Sequence, residues 1–392
     1  MQLPCSTPFM RLIPLSTWSL AAALVLGLSA CGSGGDADPV VPTPTTVQLK
    51  AALSGDQEVP PTLTGALGTG SLSLESPSRA ASGSITIEGM TANAAHIHQG
   101  DAGVNGPVIV PLSETSPGTW SVPAGAVLTE AQAAAFASGG LYFNAHSAAS
   151  PNGEIRGQIG RGVFAAQMSA LQEVPPNASS ATGNALLSLD PATKKFTARV
   201  TLSGLTATAA HIHDGAPGVN GPIIFPLSET AVGSGVWVAA ADAQLTDAQL
   251  TRLSAGNLYF NAHSVSLPGG EIRGQIGRNI RIARLSAAEE VPPTPSTATG
   301  LGTLVIDPTT RAASGSITLS GITATAAHIH LAASGTNGPV IVPLTSAGGG
   351  VFNVPAGTVL TAAQLLAYKQ GNLYYNAHSA LFPNGEIRGQ IR

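Results

Sequence analysis

Nine histidines stand in this 392-residue sequence, and no histidine falls outside one thrice-repeated pattern. His96 and His98 precede His146, His211 and His213 precede His263, and His328 and His330 precede His378. A neutral imidazole offers one nitrogen lone pair. Three of them suit zinc or copper and leave a coordination position open. Residues two apart on a strand share a face, so His96 and His98 point one way and Ile97 the other. The same alternation sets Tyr142, Asn144 and His146 against Leu141, Phe143 and Ala145. It also sets Glu154, Arg156 and Gln158 against Ile155, Gly157 and Ile159.

If these strands are neighbours, their polar faces make one cluster, and three readings of it stand open. One is a copper or zinc centre on the three histidines of each repeat. Another is a hydrogen-bonded network of Asn144, Glu154 and Arg156, with Glu154 holding Arg156 or an imidazole. Its counterparts are Asn261, Glu271 and Arg273, then Asn376, Glu386 and Arg388. The last is an exposed recognition face. Glu154 and Arg156 could also form a solvent-facing bridge of little energetic weight.

The elements that must position these residues repeat with them. Gln57-Glu58-Val59-Pro60-Pro61 returns as Gln172-Glu173-Val174-Pro175-Pro176 and as Glu289-Glu290-Val291-Pro292-Pro293. This motif is expected to end a strand and fix a turn. The motif around Asn144 (Leu141–Ser147) and the closing motif Gly153–Ile159 also occur three times. His96, His211 and His328 are 115 and 117 residues apart, a period that suits a whole domain and exceeds a solenoid unit. Alternating runs such as Ser84-Ile85-Thr86-Ile87 predict half-buried strands. The continuous apolar run 107–112 predicts a strand covered on both faces. Thr129 with Gln132, Thr246 with Gln249 and Thr361 with Gln364 are capping-box pairs and predict one short helix per repeat. Seven or eight short strands in each repeat point to an antiparallel sandwich or barrel.

These motifs together resemble the CHRD domain, a module found in the signalling antagonist chordin and in microbial secreted proteins. The resemblance spans residues 47–392 and implies an extracellular β-rich module. Chordin's growth-factor binding does not carry over, because the cysteine-rich modules that accompany the domain there are missing here.

Composition narrows the function classes. Charged residues are 10 % of the chain, the formal net charge is −4, and no Lys/Arg run occurs. A nucleic-acid partner therefore has no electrostatic footprint. No nucleophile elbow, phosphate loop or paired-carboxylate pattern appears, so the sequence reads as a non-enzyme. Both cysteines, Cys5 and Cys31, precede the repeats, and no disulfide can brace them.

The N-terminus has Arg11, an apolar run from Leu12 to Leu28, and then Ser29-Ala30-Cys31-Gly32. That is the pattern of an export signal, and its end resembles the lipobox of bacterial lipoproteins, which implies acylation at Cys31. The expected organisation is a signal peptide over 1–30 and a flexible tether over 31–46. Repeats follow over 47–161, 162–278 and 279–392. The fold class expected is all-β, three tandem antiparallel sandwich or barrel domains with one short helix each. The expected protein is exported and lipid-anchored at the outer membrane or cell surface. Its expected partners are that membrane and an unidentified protein or extracellular ligand. It would act as a non-catalytic binding or structural module, with copper or zinc binding as the alternative.

Overall fold

Alternation of apolar and polar residues becomes strand pairing in all three repeats. The computed structural model describes residues 43–392; the stretch expected to be a signal peptide, Cys31 and most of the expected tether lie outside the described residues. The first repeat runs β1 (Thr45–Ser54), β2 (Leu67–Ser76), β3 (Ala81–Glu88), β4 (Ala94–Gln99) and β5 (Val108–Pro111). It continues with β6 (Ser113–Ser116), β7 (Thr119–Ser121), helix α1 (Glu130–Ser138), β8 (Leu141–His146) and β9 (Ile155–Gln158). The strands lie in the order β5-β4-β8-β9-β1-β2-β3-β7-β6. In β3, Ile85 and Ile87 enter the core while Thr86 and Glu88 face outward. Leu53, Leu72, Ile97, Phe143 and Ile155 fill the interior with at most 1 % of their surface exposed.

The second repeat is a closed barrel of eight strands. There Ile223–Glu229 pairs with Ala209–Asp214 on one side and Val236–Val238 on the other. In the first repeat the matching run is interrupted at Leu112, so β5 pairs with β4 and β6 with β7. One stretch of chain thus serves both edges, and the barrel is nearly closed. The third repeat has nine strands and the same arrangement, with the interruption at Leu344. The run expected to be covered on both faces is covered on one. Val110, opposite Ile97, is buried, whereas a bulge in the pairing places Val108 opposite His98 on the outer face, where it is 49 % exposed.

Each helix begins in a complete capping box. The Thr129 hydroxyl accepts from the Gln132 backbone N–H at 3.2 Å, and the Gln132 side chain accepts from the Thr129 N–H at 2.8 Å. Two otherwise unpaired donors of the first turn are satisfied this way. Among the described residues no helix is long and apolar enough to cross a membrane.

The repeats together form one compact unit, Thr43–Arg392. Val59, Pro60 and Gly103 of the first repeat face Ala165 and Leu186 of the second across a cavity of about 290 Å³. A larger cavity, about 790 Å³, separates Val174 and Pro176 of the second repeat from Ile280, Ile282 and Leu301 of the third. The strand registers match those three apolar residues to Gln48, Lys50 and Thr69 in the first repeat. Ile280 and Ile282 are half-buried there, and Leu301 remains 51 % exposed. The first and third repeats also touch directly. Gly65 lies so close to the third repeat's helix that a Cβ there would sit 1.9 Å from the Ala362 carbonyl oxygen. The matching residues in the other repeats, Ser180 and Thr297, carry side chains.

Candidate metal centre and its polar surround

Antiparallel pairing of β4 with β8 sets His96 opposite Asn144, His98 opposite Tyr142 and Ala94 opposite His146. Pairing of β8 with β9 then places Arg156 beside Asn144 and Gln158 beside Tyr142. Ile97, Phe143 and Ala145 point into the core, so the polar cluster occupies the outer face of the barrel wall. One nitrogen from each of His96, His98 and His146 lies within 4.8 Å of the other two. His211, His213 and His263 meet the same condition, as do His328, His330 and His378.

Backbone carbonyls decide which nitrogen of two rings carries the proton. His98 Nδ1 is 2.9 Å from the Gly106 carbonyl oxygen, and His146 Nδ1 is 3.1 Å from that of Pro151. A carbonyl only accepts, so both Nδ1 atoms are protonated and, in the neutral rings, both Nε2 atoms hold lone pairs. His146 Nε2 is 3.0 Å from His96 Nδ1, which must therefore donate to it. His98 Nε2 is buried without a hydrogen-bond partner, and so are His213 Nε2 and His330 Nε2. Burial is the first cause that holds His96, His98 and His146 below the usual histidine range. The neighbouring imidazoles add to it at His96. At neutral pH these rings are uncharged, the form a metal ion requires.

Tyr142 ties the histidines to the buried arginine. Its ring stacks on His98 with centroids 4.9 Å apart, and the Arg156 guanidinium lies 3.5 Å from the Tyr142 ring centroid. The Tyr142 hydroxyl accepts from the Gly106 N–H at 3.0 Å, steadying the residue whose carbonyl orients His98. Arg156 is 1 % exposed and donates to the carbonyls of Val104 at 3.0 Å and Asp101 at 2.7 Å. It also donates to Gln158 Oε1 at 3.2 Å.

The expected pairing of Glu154 with Arg156 is not made, nor is it a solvent-facing bridge. The Glu154 carboxylate accepts from the hydroxyls of Thr64, at 2.6 Å, and Ser147. Carbonyls of the loop after β4 occupy the guanidinium instead. Glu271 and Glu386 likewise take the hydroxyls of Ser179 and Ser296. Asn144, Asn261 and Asn376 turn to a different carboxylate, that of Glu58, Glu173 or Glu290, at 3.2 to 3.5 Å. Sequence reasoning assigned Glu58 only to a turn. Its recurrence as glutamate at 58, 173 and 290, while the residue two before it changes from Asp56 to Leu171 and Ala288, was the available signal. Burial pushes Glu58 up to about 7 against the opposing field of Arg156, and Glu173 rises to about 7 for the same reason.

A search of curated proteins found no match to this chain, and neither did a search of solved structures. The family model of the CHRD domain matches residues 49–159, 164–276 and 282–391. With the matches covering nearly all of the described barrels, the chain belongs to the CHRD family and carries three CHRD domains in tandem.

Proposed function

We propose that this protein is an exported, lipid-anchored, non-catalytic binding or structural module of the cell envelope. The observation that carries the reading is the threefold recurrence of one rigid polar face. Each copy is set on a barrel wall and braced by the same backbone bonds to its loops. Three equivalent faces in one compact unit suit multivalent engagement, which raises effective concentration without new contacts. The tether over 31–46 would hold that unit off the membrane, with Cys31 as the lipid attachment site. Expression in a bacterial host tests the anchor. The mature chain should fractionate with membranes, show an acyl mass at Cys31 and become soluble as Cys31→Ala. An uncleaved chain found in the cytoplasm would sink the proposal.

A second reading, a copper- or zinc-binding envelope protein, is favoured by the convergence of three imidazole nitrogens in every repeat. Its test is metal analysis of the purified protein, together with melting curves with and without a chelator. An ion at a thousand times its dissociation constant stabilises its repeat by about 4 kcal/mol. A melting curve indifferent to zinc, copper and chelator would remove this reading.

A further inference from the structure

Resting on the metal-binding reading, we propose that each repeat holds its ion through a mixed nitrogen set. The ligand atoms in the first repeat are His96 Nδ1, His98 Nε2 and His146 Nε2. The metal-free repeat keeps this site closed with a single hydrogen bond, from His96 Nδ1–H to His146 Nε2.

Three observations assign the atoms. The Gly106 and Pro151 carbonyls occupy the Nδ1–H groups of His98 and His146, so only Nε2 of each ring is free to ligate. His98 Nε2 is a sealed lone pair with no partner, in a side chain 8 % exposed. A buried nitrogen left bare forfeits the hydrogen bond it would make in water. The same nitrogen is bare in all three repeats. His96 then presents Nδ1 toward His146 Nε2 at 3.0 Å, an orientation that the other repeats reproduce at 3.1 and 3.0 Å. A carbonyl bonded to the second ring nitrogen is the usual way a ligating histidine is oriented.

The geometry and donor set define the class of ion. Bonds of about 2.0–2.1 Å in a tetrahedral site put ligand nitrogens about 3.3 Å apart. In every repeat one nitrogen from each ring lies within 4.8 Å of the other two, and His96 Nδ1 and His146 Nε2, at 3.0 Å, already stand close to that spacing. Three neutral imidazoles without a carboxylate suit Zn²⁺ or Cu²⁺ and disfavour Ca²⁺ and Mg²⁺, which take oxygen ligands. The fourth position stays open to water or a small anion.

Entry of the ion has a defined proton balance. His96 gives up its Nδ1 proton and takes one at Nε2, exchanged through water, so the ring stays neutral. Two nitrogen–metal bonds replace the His96–His146 hydrogen bond, and His98 Nε2 gains its first partner. No net proton is released where all three rings begin neutral.

The test uses the full chain with zinc chloride alone, titrated by calorimetry and followed by long-range ¹H–¹⁵N imidazole spectra. The expected result is three zinc ions per chain. In the metal-free spectrum His96, His211 and His328 carry the proton on Nδ1; with zinc they carry it on Nε2. The variants His96→Ala, His211→Ala and His328→Ala should each remove one equivalent. Three equivalents with the His96 proton still on Nδ1 would overturn the atom assignment and leave the metal reading standing. No binding of zinc, or of copper sulfate in the same titration, would overturn both. A stoichiometry other than three would overturn the claim that each repeat is a complete site. The wild-type stoichiometry and spectra decide the matter even where a variant fails to fold.

Discussion

Asp56 and Lys369 stand 313 residues apart in sequence and 3.0 Å apart in space, with side chains 3 % and 4 % exposed. The pair joins the first repeat to the third, and Asn279 Nδ2 donates to the second Asp56 oxygen at 3.2 Å. Their counterparts are Leu171 and Ala288 for the aspartate, Ala137 and Ser254 for the lysine. The charges occur only in the two repeats that this pair joins. A second bridge, Glu88 to Arg311 at 2.7 Å, crosses the same interface with its glutamate largely in solvent, and so contributes less.

Removing one member of the buried pair should cost far more than removing both. Asp56→Ala strands the Lys369 ammonium in a sealed site, a loss of about 3–5 kcal/mol. Asp56→Leu with Lys369→Ser, the residues of the second repeat, should recover much of it. Urea denaturation of the full chain measures the cycle. An Asp56→Ala chain as stable as the wild type would show that the repeats do not lock together through this pair.

The same contact predicts that Gly65→Ala disturbs the first and third repeats together, because the new methyl collides with the backbone at Ala362. The loss should be about 1–3 kcal/mol, the usual range for overpacking. Ser180→Ala, at the matching position of the second repeat, should fall within about 0.5 kcal/mol of the wild type. Equal effects from both substitutions would argue against the interface.

Glu58 makes stability depend on pH in a direction unusual for a carboxylate. Its folded pKa, about 7, lies above the ordinary 4.5, so the folded state binds the proton more tightly. Its contribution is therefore complete below about pH 4.5 and is lost as pH rises towards 7. His96 and His98 act oppositely, since their lowered pKa values remove stability as pH falls below 6.5. Glu58→Gln keeps the bond from Asn144 and carries no charge. It should match the wild type at pH 5 and exceed it at pH 8 by at most about 3 kcal/mol. Denaturation midpoints of both proteins at the two pH values give the comparison; a variant whose advantage over the wild type does not grow from pH 5 to pH 8 would count against it.

Tyr142→Phe should cost about 1–2 kcal/mol, because the Gly106 N–H loses its acceptor inside the loop. It should also loosen the Gly106 carbonyl that orients His98. The His98 Nδ1–H resonance is expected to exchange faster with water in this variant. Unchanged exchange would separate Tyr142 from the histidine site.

Much of the fold was legible along the chain because its signals are local. Period-two alternation put His96 with His98, and Asn144 with His146, on shared faces. The Thr129–Gln132 box started its helix at the residue expected, since both of its bonds lie within four residues. The run at 107–112 was misread because apolar content alone does not distinguish a wall covered once from a strand covered twice. Sequence spacing left Glu154 facing either Arg156 or an imidazole, and the hydroxyls of Thr64 and Ser147 take it instead. The loop carbonyls of Asp101 and Val104, which take the guanidinium, are not written in residue types.

By itself, then, the sequence determined the threefold repetition, the strand faces and the set of nine histidines, because strand period and motif recurrence act over a few residues. Tertiary structure alone decided which imidazole nitrogens are free, which carboxylate faces the buried arginine, and that Asp56 meets Lys369. Those outcomes depend on backbone groups and on contacts between residues 50 to more than 300 positions apart, where closure brings together partners that no local spacing encodes.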